Sequence, residues 1–201
     1  VRTRELPEKF TVTGTFYLAA NTESTFRDRL TYRGSSTDWL GIDDGTRSLP
    51  PSIPAYRVTR LGPKPDGTVV TRDELTRYGQ DINAYMSTQR AMALPNMSGN
   101  ITIGNTLKKG ADHEIGYIAA LTYGRRFQIR RDEIARTFTT DPNAAEPELR
   151  LLNDYRIETG LDTVTWGGYG GLTYRYAKDH KISLMGLYTR SSENEAREIE
   201  G

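Results

Sequence analysis

The stretch DTVTWGGYGGLTYRY, residues 162–176, reads as a single β-strand. Successive side chains of a strand point to opposite faces. Val164, Trp166, Gly168, Gly170, Leu172, Tyr174 and Tyr176 therefore share one face. Thr165, Gly167, Tyr169, Gly171, Thr173 and Arg175 share the other. The first set carries no charge. Trp166 and Tyr174 stand eight residues apart, roughly 26 Å along a strand that rises ~3.3 Å per residue. Transmembrane β-barrels present a similar pattern, an apolar outer band about 25 Å tall between two aromatic girdles.

Four further segments alternate in the same way. In FTVTGTFYL, residues 10–18, Phe10, Val12, Gly14, Phe16 and Leu18 oppose Thr11, Thr13, Thr15 and Tyr17. In MSGNITIGNTL, residues 97–107, Met97, Gly99, Ile101, Ile103 and Leu107 share a face that Asn105 interrupts. A third strand starts near Ile115. Its Ile115, Tyr117, Ala119, Leu121 and Tyr123 oppose Gly116, Ile118, Ala120, Thr122 and Gly124, and it runs on into the charged RRFQIRRDE. Residues 181–190 align Ile182, Leu184, Gly186 and Tyr188. The expected fold is thus all-β, with about five up-and-down antiparallel strands.

The connections alternate in length. Residues 22–95 are long, the turn KKGADHE (108–114) is short, TTDPNAAEPELRLLNDYR (139–156) is long and AKDHK (177–181) is short. Up-and-down strands would gather both short turns at one end, as outer-membrane barrels do. The 22–95 stretch is rich in turn formers (RGSSTD, GIDDGT, LPPSIP, GPKPDGT) and reads as one long irregular loop. Within it the spacing predicts a helix over 71–89. Thr71 is its N-cap and Glu74 closes a capping box, with Leu75, Tyr78, Ile82 and Tyr85 as its stripe. The final SSENEAREIEG reads as a polar tail.

Composition narrows the class. The 201 residues carry 27 Lys+Arg against 26 Asp+Glu, a net charge of +1 that gives no footprint for nucleic acid. A mean hydropathy of −0.64 excludes a helical membrane protein. With no cysteine there is neither a disulfide scaffold nor a thiolate metal site. No nucleophile elbow, zinc-binding histidine pair or phosphate-binding loop occurs, so no catalytic residue, cofactor or enzymatic activity is expected. The metal candidates are Asp43 and Asp44 in GIDDGT, although a calcium site needs six to eight oxygens and two adjacent carboxylates with a glycine also make a turn. His113 and His180 fall in the two short turns, near each other at one rim. The five arginines of RRFQIRRDEIAR (125–136) are either a solvated strand extension paired with Asp132 and Glu133, or a basic patch for lipopolysaccharide phosphates. Trp39 beside Asp38 reads as a loop anchor or a ligand contact.

Several pieces resemble one family. VRTRELPEKF (1–10), TFRDRLTYRGSSTDWLGIDDGTRSLP (25–50), NDYRIETG (153–160) and VTWGGYGGLTYRYAKDHKISLMGLYTRSSENEAR (164–197) resemble the plug-to-barrel junction and first barrel strands of TonB-dependent outer-membrane receptors. The resemblance implies a barrel of about twenty-two strands around a plug, of which this chain matches the beginning. Residues 1–9 would be the plug-to-barrel linker and 10–201 the N-terminal part of the barrel, with 22–95 its first extracellular loop. It implies the outer membrane of a Gram-negative bacterium, uptake of a scarce ligand into the periplasm, and coupling to TonB, ExbB and ExbD through a TonB box outside these residues. Bilayer, lipopolysaccharide and a surface lipoprotein or other subunits are the remaining expected partners. The alternative is a barrel serving as a structural anchor in a larger outer-membrane assembly. The family's ligands are diverse, so no ligand-binding residue is assigned.

On that reading Phe10, Val12, Phe16, Tyr117, Leu121, Tyr123, Trp166, Leu172 and Tyr174 face lipid. Thr11, Thr13, Thr15, Tyr17, Thr122, Thr165, Tyr169 and Arg175 face the lumen. Five strands leave two unpaired edges, which a bilayer does not tolerate. The remaining strands are therefore expected from a longer chain or from other chains. A second sheet covering the apolar side would remove the basis of the membrane reading.

Overall fold

The computed structural model describes residues 7–82, 87–110, 112–140, 148–177 and 180–201. It is mostly β. Strands β1 (Thr11–Ala19), β4 (Asn96–Lys109), β5 (His113–Thr140), β6 (Leu149–Tyr176) and β7 (His180–Glu200) form an antiparallel sheet in the order β1-β4-β5-β6-β7. The sheet is open, with β1 and β7 as its edges. Two short strands, β2 (Asp28–Tyr32) and β3 (Thr88–Met92), pair with each other in a separate sheet. No helix among the described residues is long and apolar enough to cross a membrane, which says nothing about crossing by strands.

The register joins the alternating segments into two faces. Residues directly opposite in an antiparallel pair project to the same side. One row runs Phe16–Gly99–Tyr123–Trp166–Arg190, and another runs Val12–Ile103–Ala119–Gly170–Gly186. The nine residues expected on the lipid side thus share one face, with Phe10 just before β1 in its alternation. The eight expected on the lumen side share the other. Both short turns lie at one end, because Lys109 pairs with His113 while His113 and His180 both pair with Tyr176.

Four expectations need correction. The 22–95 stretch is not simply a loop with a helix, since it contains β2 and β3. The helix (α1) spans Arg72–Asp81 and ends well short of 89. Ile82, the fourth-turn residue of the expected stripe, already has an extended backbone, Tyr85 lies outside the described residues, and Thr88–Met92 pairs with β2. The third connection is shorter than expected, because β6 begins at Leu149 and takes up much of TTDPNAAEPELRLLNDYR. The polar tail is strand: β7 runs on to Glu200, with Glu195, Arg197 and Glu198 still in register with β6. Charged residues read as loop form strand here because bonds within β7 and to β3 and β6 satisfy them: Arg197 pairs with Glu195, Arg90 with Glu198, and Thr163 donates to Glu193. The turn residues Ala111, Lys178 and Asp179, the 141–147 segment and residues 1–6 of the linker lie outside the described residues.

A second sheet on the apolar side, the arrangement set against the membrane reading, is present, and it covers part of that face. Strand β2 crosses β6 at Gly160, where an added Cβ would collide with the Leu30 carbonyl oxygen and stand 2.8 Å from its carbonyl carbon. Glycine is required for that approach. Leu30 is completely buried, and Ala93, Phe127 and Ile129 cluster beside it. Polar ties complete the contact. Arg90 makes a two-pronged bond to Glu158 at 2.8 and 3.1 Å, and the Tyr32 hydroxyl meets Asn194 at 3.1 Å. Arg131 donates to the Asp28 carbonyl at 2.9 Å. Coverage is confined to the long-loop end of the sheet, above the Tyr123–Trp166–Arg190 row. Between that row and the short turns, Val12, Ile101, Leu121, Leu172, Ile182 and Leu184 remain exposed.

Gly160→Ala forces the β2 backbone to move, because the colliding atoms belong to main chain. Overpacking of this kind costs about 1–3 kcal/mol. Gly170 lies on the same strand and face with nothing within 4 Å of an added Cβ, so Gly170→Ala is expected to be silent. Denaturant midpoints of the two variants check the pair, and equal midpoints would contradict the packing of β2 on β6.

Candidate functional site

The apolar band is bounded above and below. Its upper edge is the Tyr123–Trp166 pair, with the Tyr188 ring 5.3 Å from Trp166. Its lower edge is Tyr117, Tyr174 and Tyr176 together with the two histidines. His113 Nδ1 lies 2.8 Å from the Tyr174 hydroxyl, and the His113 and His180 rings flank Tyr176 at 5.1 and 6.3 Å. The expected proximity of the histidines is therefore realised through one tyrosine between them. No charged side chain of Ile115–Tyr123, Trp166–Tyr174 or Ile182–Tyr188 points to this face. Trp166 lies on the expected face but not at a strand end, since β6 continues back to Leu149.

Charge begins immediately above the upper edge. Asp162 is 4% exposed and receives Arg125 through two bonds, 2.9 and 2.6 Å, and Arg29 of β2 at 3.4 Å. Both guanidinium groups lie over the Phe127 ring, at 4.8 Å for Arg125 and 5.1 Å for Arg29. Burial, above all, lowers the Arg29 pKa; Asp162 opposes that shift and Arg125 adds to it. Other arginines of the 125–136 run are also neutralised. Arg131 reaches Glu158 at 3.4 Å, Arg136 reaches Asp154 at 3.0 Å, and Arg130 reaches Glu133 at 3.9 Å. Their partners are mostly across the sheet. Asp132, an expected partner, sits instead at a register shift with a φ of 56°.

A 3-10 turn, Asp38–Leu40, rests on the upper edge. The Tyr123 hydroxyl donates to the Trp39 carbonyl at 2.7 Å, Trp166 Nε1 to the Leu40 carbonyl at 2.8 Å, and Arg190 Nε to the Gly41 carbonyl at 2.9 Å. Three consecutive carbonyls thus meet three side chains from one row across β5, β6 and β7. Gly41 is left-handed at φ 65°, and an added Cβ would stand 2.7 Å from the Ser192 Cβ. The signal available in sequence was only a glycine after DWL; carbonyl acceptors leave no side-chain pattern to find.

The loop around the turn holds itself together. Arg47 bridges Asp38 at 2.6 Å and Asp43 at 2.9 Å. Asp44 accepts from the Thr46 and Ser36 side chains and backbone N–H groups, which hold its carboxyl far below the usual range. Both expected metal candidates are therefore engaged by the loop's own donors. No group of three or more His, Cys, Asp or Glu able to hold a metal occurs among the described residues. Farther along, the capping box at Thr71 forms as expected, and Lys64 Nζ meets Glu74 at 2.7 Å. The Lys64 bond, then the Thr71 N–H, lowers the Glu74 pKa from 4.5 to about 2. A depressed carboxylate stabilises its fold above its unfolded pKa and loses that effect as pH falls through the folded value. The α1 amides are accordingly expected to lose hydrogen-exchange protection between pH 4.5 and about 2; in Glu74→Ala protection is already reduced at neutral pH, and unchanged protection across the window would contradict the assignment.

The opposite face is largely polar, with Met185 and Leu187 of β7 exposed on it. Asn100 Nδ2 donates to Thr15 at 2.5 Å, Thr122 donates to the Gly167 carbonyl at 3.3 Å, and Thr165 meets Ser191 at 3.3 Å. Thr11 donates to the Lys9 carbonyl at 2.9 Å, while Thr13 and Tyr17 are exposed. Arg175 bridges Glu114 at 2.8 Å. Glu8, Glu114, Tyr169, Thr173, Arg175 and Lys181 line a groove of about 450 Å³ on this face. Pro7 lies across the same face, because Gly104 leaves room: an added Cβ there would be 2.7 Å from Pro7 Cγ. The chain therefore enters β1 from the polar side.

No family model, curated protein or solved structure matches this chain.

Proposed function

We infer that the five-stranded sheet is part of an outer-membrane β-barrel belonging to a TonB-dependent transporter. One observation carries the membrane part of this reading. A charge-free, exposed apolar band lies between two aromatic belts, on a sheet whose other face is mostly small, hydroxylated or charged, with Met185 and Leu187 of β7 exposed on it. Strands of nine to eleven tilted residues suffice to cross a bilayer, and a charge at mid-depth on the lipid side costs about 2–4 kcal/mol. Water gives no reason to exclude charge from such a band. The small core agrees: among the described residues eight apolar side chains are buried and thirty-four large ones are exposed.

The second sheet fits the same arrangement. It covers the apolar face only where charge appears, in the part of the strands that would project outside the bilayer. The polar face would line the lumen, and entry of the chain from that side is the geometry a luminal plug requires. The edges β1 and β7 would pair with further strands, since unpaired backbone groups are not tolerated in hydrocarbon. The transport part rests on the sequence resemblance: binding of a scarce ligand outside, plug rearrangement driven through TonB, ExbB and ExbD, and release into the periplasm. No step of covalent chemistry is assigned to these residues.

The membrane reading is tested by partition. The protein should sediment with outer membranes and resist alkaline carbonate extraction; recovery in the aqueous fraction without detergent would end it. The transport reading is tested by uptake. Growth of a deletion strain on single scarce nutrients should fail for one of them and should also fail when the inner-membrane proton gradient is collapsed. A membrane-resident protein whose loss affects no uptake, but releases a surface lipoprotein, would favour the anchor role; the second sheet supplies a surface for such a partner.

A further inference from the structure

Trp39 is 52% exposed although the turn that carries it is fastened at three successive carbonyls. A large aromatic held in a fixed backbone yet left uncovered has a free energy gain still available to it. The turn lies along the Tyr123–Trp166–Arg190 row, the level at which the charge-free band ends. We propose that the 38–42 segment is a membrane-interface anchor, and that Trp39 continues the upper aromatic belt from the loop into the headgroup layer of the bilayer.

Three features select a lipid interface as the occupant. The first is continuity. The Trp39 carbonyl is bonded to Tyr123, and along the same row Gly99 and the 68% exposed Phe16 extend the apolar surface beside it. The second is chemistry. Tryptophan concentrates at bilayer interfaces, where an apolar ring and a polar N–H can both be satisfied, and the neighbouring Ile42 is 38% exposed. The third is charge. Arg47 bonds both Asp38 and Asp43, so neither carboxylate nearest the turn is unpaired and only part of their combined charge is left to face lipid phosphates.

The proposal rests on the membrane reading, and spin labels separate the two. The sequence has no cysteine, so single cysteines at Trp39, Leu172 and Ser52 can each be labelled in protein purified from membranes and returned to phosphatidylcholine–phosphatidylglycerol vesicles. Leu172 stands within the band and Ser52 is an exposed loop residue. Collision with a water-soluble nickel complex should be severalfold slower at 39 than at 52. Collision with oxygen should give 39 a depth between those of 52 and 172. Since Trp39→Cys removes the ring itself, Trp39→Phe supplies a second readout: it should reduce the tryptophan emission that shallow brominated lipids quench to the part that Trp166 contributes. A label at 39 as accessible to nickel as the one at 52, with 172 buried, overturns the anchor alone. Nickel access at 172 as well overturns the membrane reading.

Discussion

Asp162→Ala is expected to release the second sheet, β2 and β3. The carboxylate is buried between Arg125 and Arg29, one from β5 and one from β2, and is the most buried carboxylate among the ion pairs that join the two sheets. Without it two guanidinium groups share one buried site with no counter-charge. Breaking a buried pair by removing one partner costs about 3–5 kcal/mol, mostly because the remaining charge is left unpaired. Arg29 suffers most, since it is 8% exposed, its Nε meets no hydrogen-bond partner among the described residues, and burial already opposes its charge. The expected consequence is loss of β2 from β6, with the 28–92 segment becoming sensitive to protease. Asp154→Ala is the control. Its partner Arg136 is half exposed, and such surface pairs contribute about 0–1 kcal/mol. Denaturant midpoints and protease mapping of both variants check the contrast. Equal shifts would show that the Asp162 site is not the buried junction described.

The faces of the large sheet were legible in sequence because a strand has one short period and each side chain reveals its side. Trp166, Leu172 and Tyr174 fall with Tyr117 and Leu121 as soon as the strands are set in register. The pairing of β2 with β3 was not legible. DRLTY at 28–32 and TQRAM at 88–92 are five residues each, lack a sustained apolar alternation and pair across a long separation. Local pattern carries no information about such a pairing. The helix end was misread for a related reason. Ile82 and Tyr85 extend the spacing of Leu75 and Tyr78, yet tertiary pairing of Thr88–Met92 with β2 claims the chain soon after Asp81. The extended parts of β6 and β7 were hidden by their charges, which read as loop until Asp154, Glu158 and Glu198 acquire arginine or hydroxyl partners from neighbouring strands. The fastening of the 38–41 turn was least visible, because its acceptors are carbonyls that every residue possesses.

Leu121→Arg and Thr122→Arg place the same charge on adjacent residues and are expected to differ sharply. Leu121 lies within the apolar band, between Ile101 and Gly168, and is 52% exposed. Facing hydrocarbon, an arginine there costs about 2–4 kcal/mol, enough to abolish stable assembly in the membrane. Thr122 faces the polar side, between Asn100 and Gly167. An arginine at 122 would enter a water-lined lumen beside hydroxyl and amide groups, at little cost. The amount of folded protein recovered in outer membranes, read by its resistance to unfolding in detergent before heating, checks both variants. The comparison has a second edge. If the exposed face met water, Leu121→Arg would replace an apolar surface residue by a soluble one and assembly would be unaffected or improved. A mild Leu121→Arg therefore removes the hydrocarbon reading, whereas equally severe effects at both positions would show that the faces of β5 are wrongly assigned.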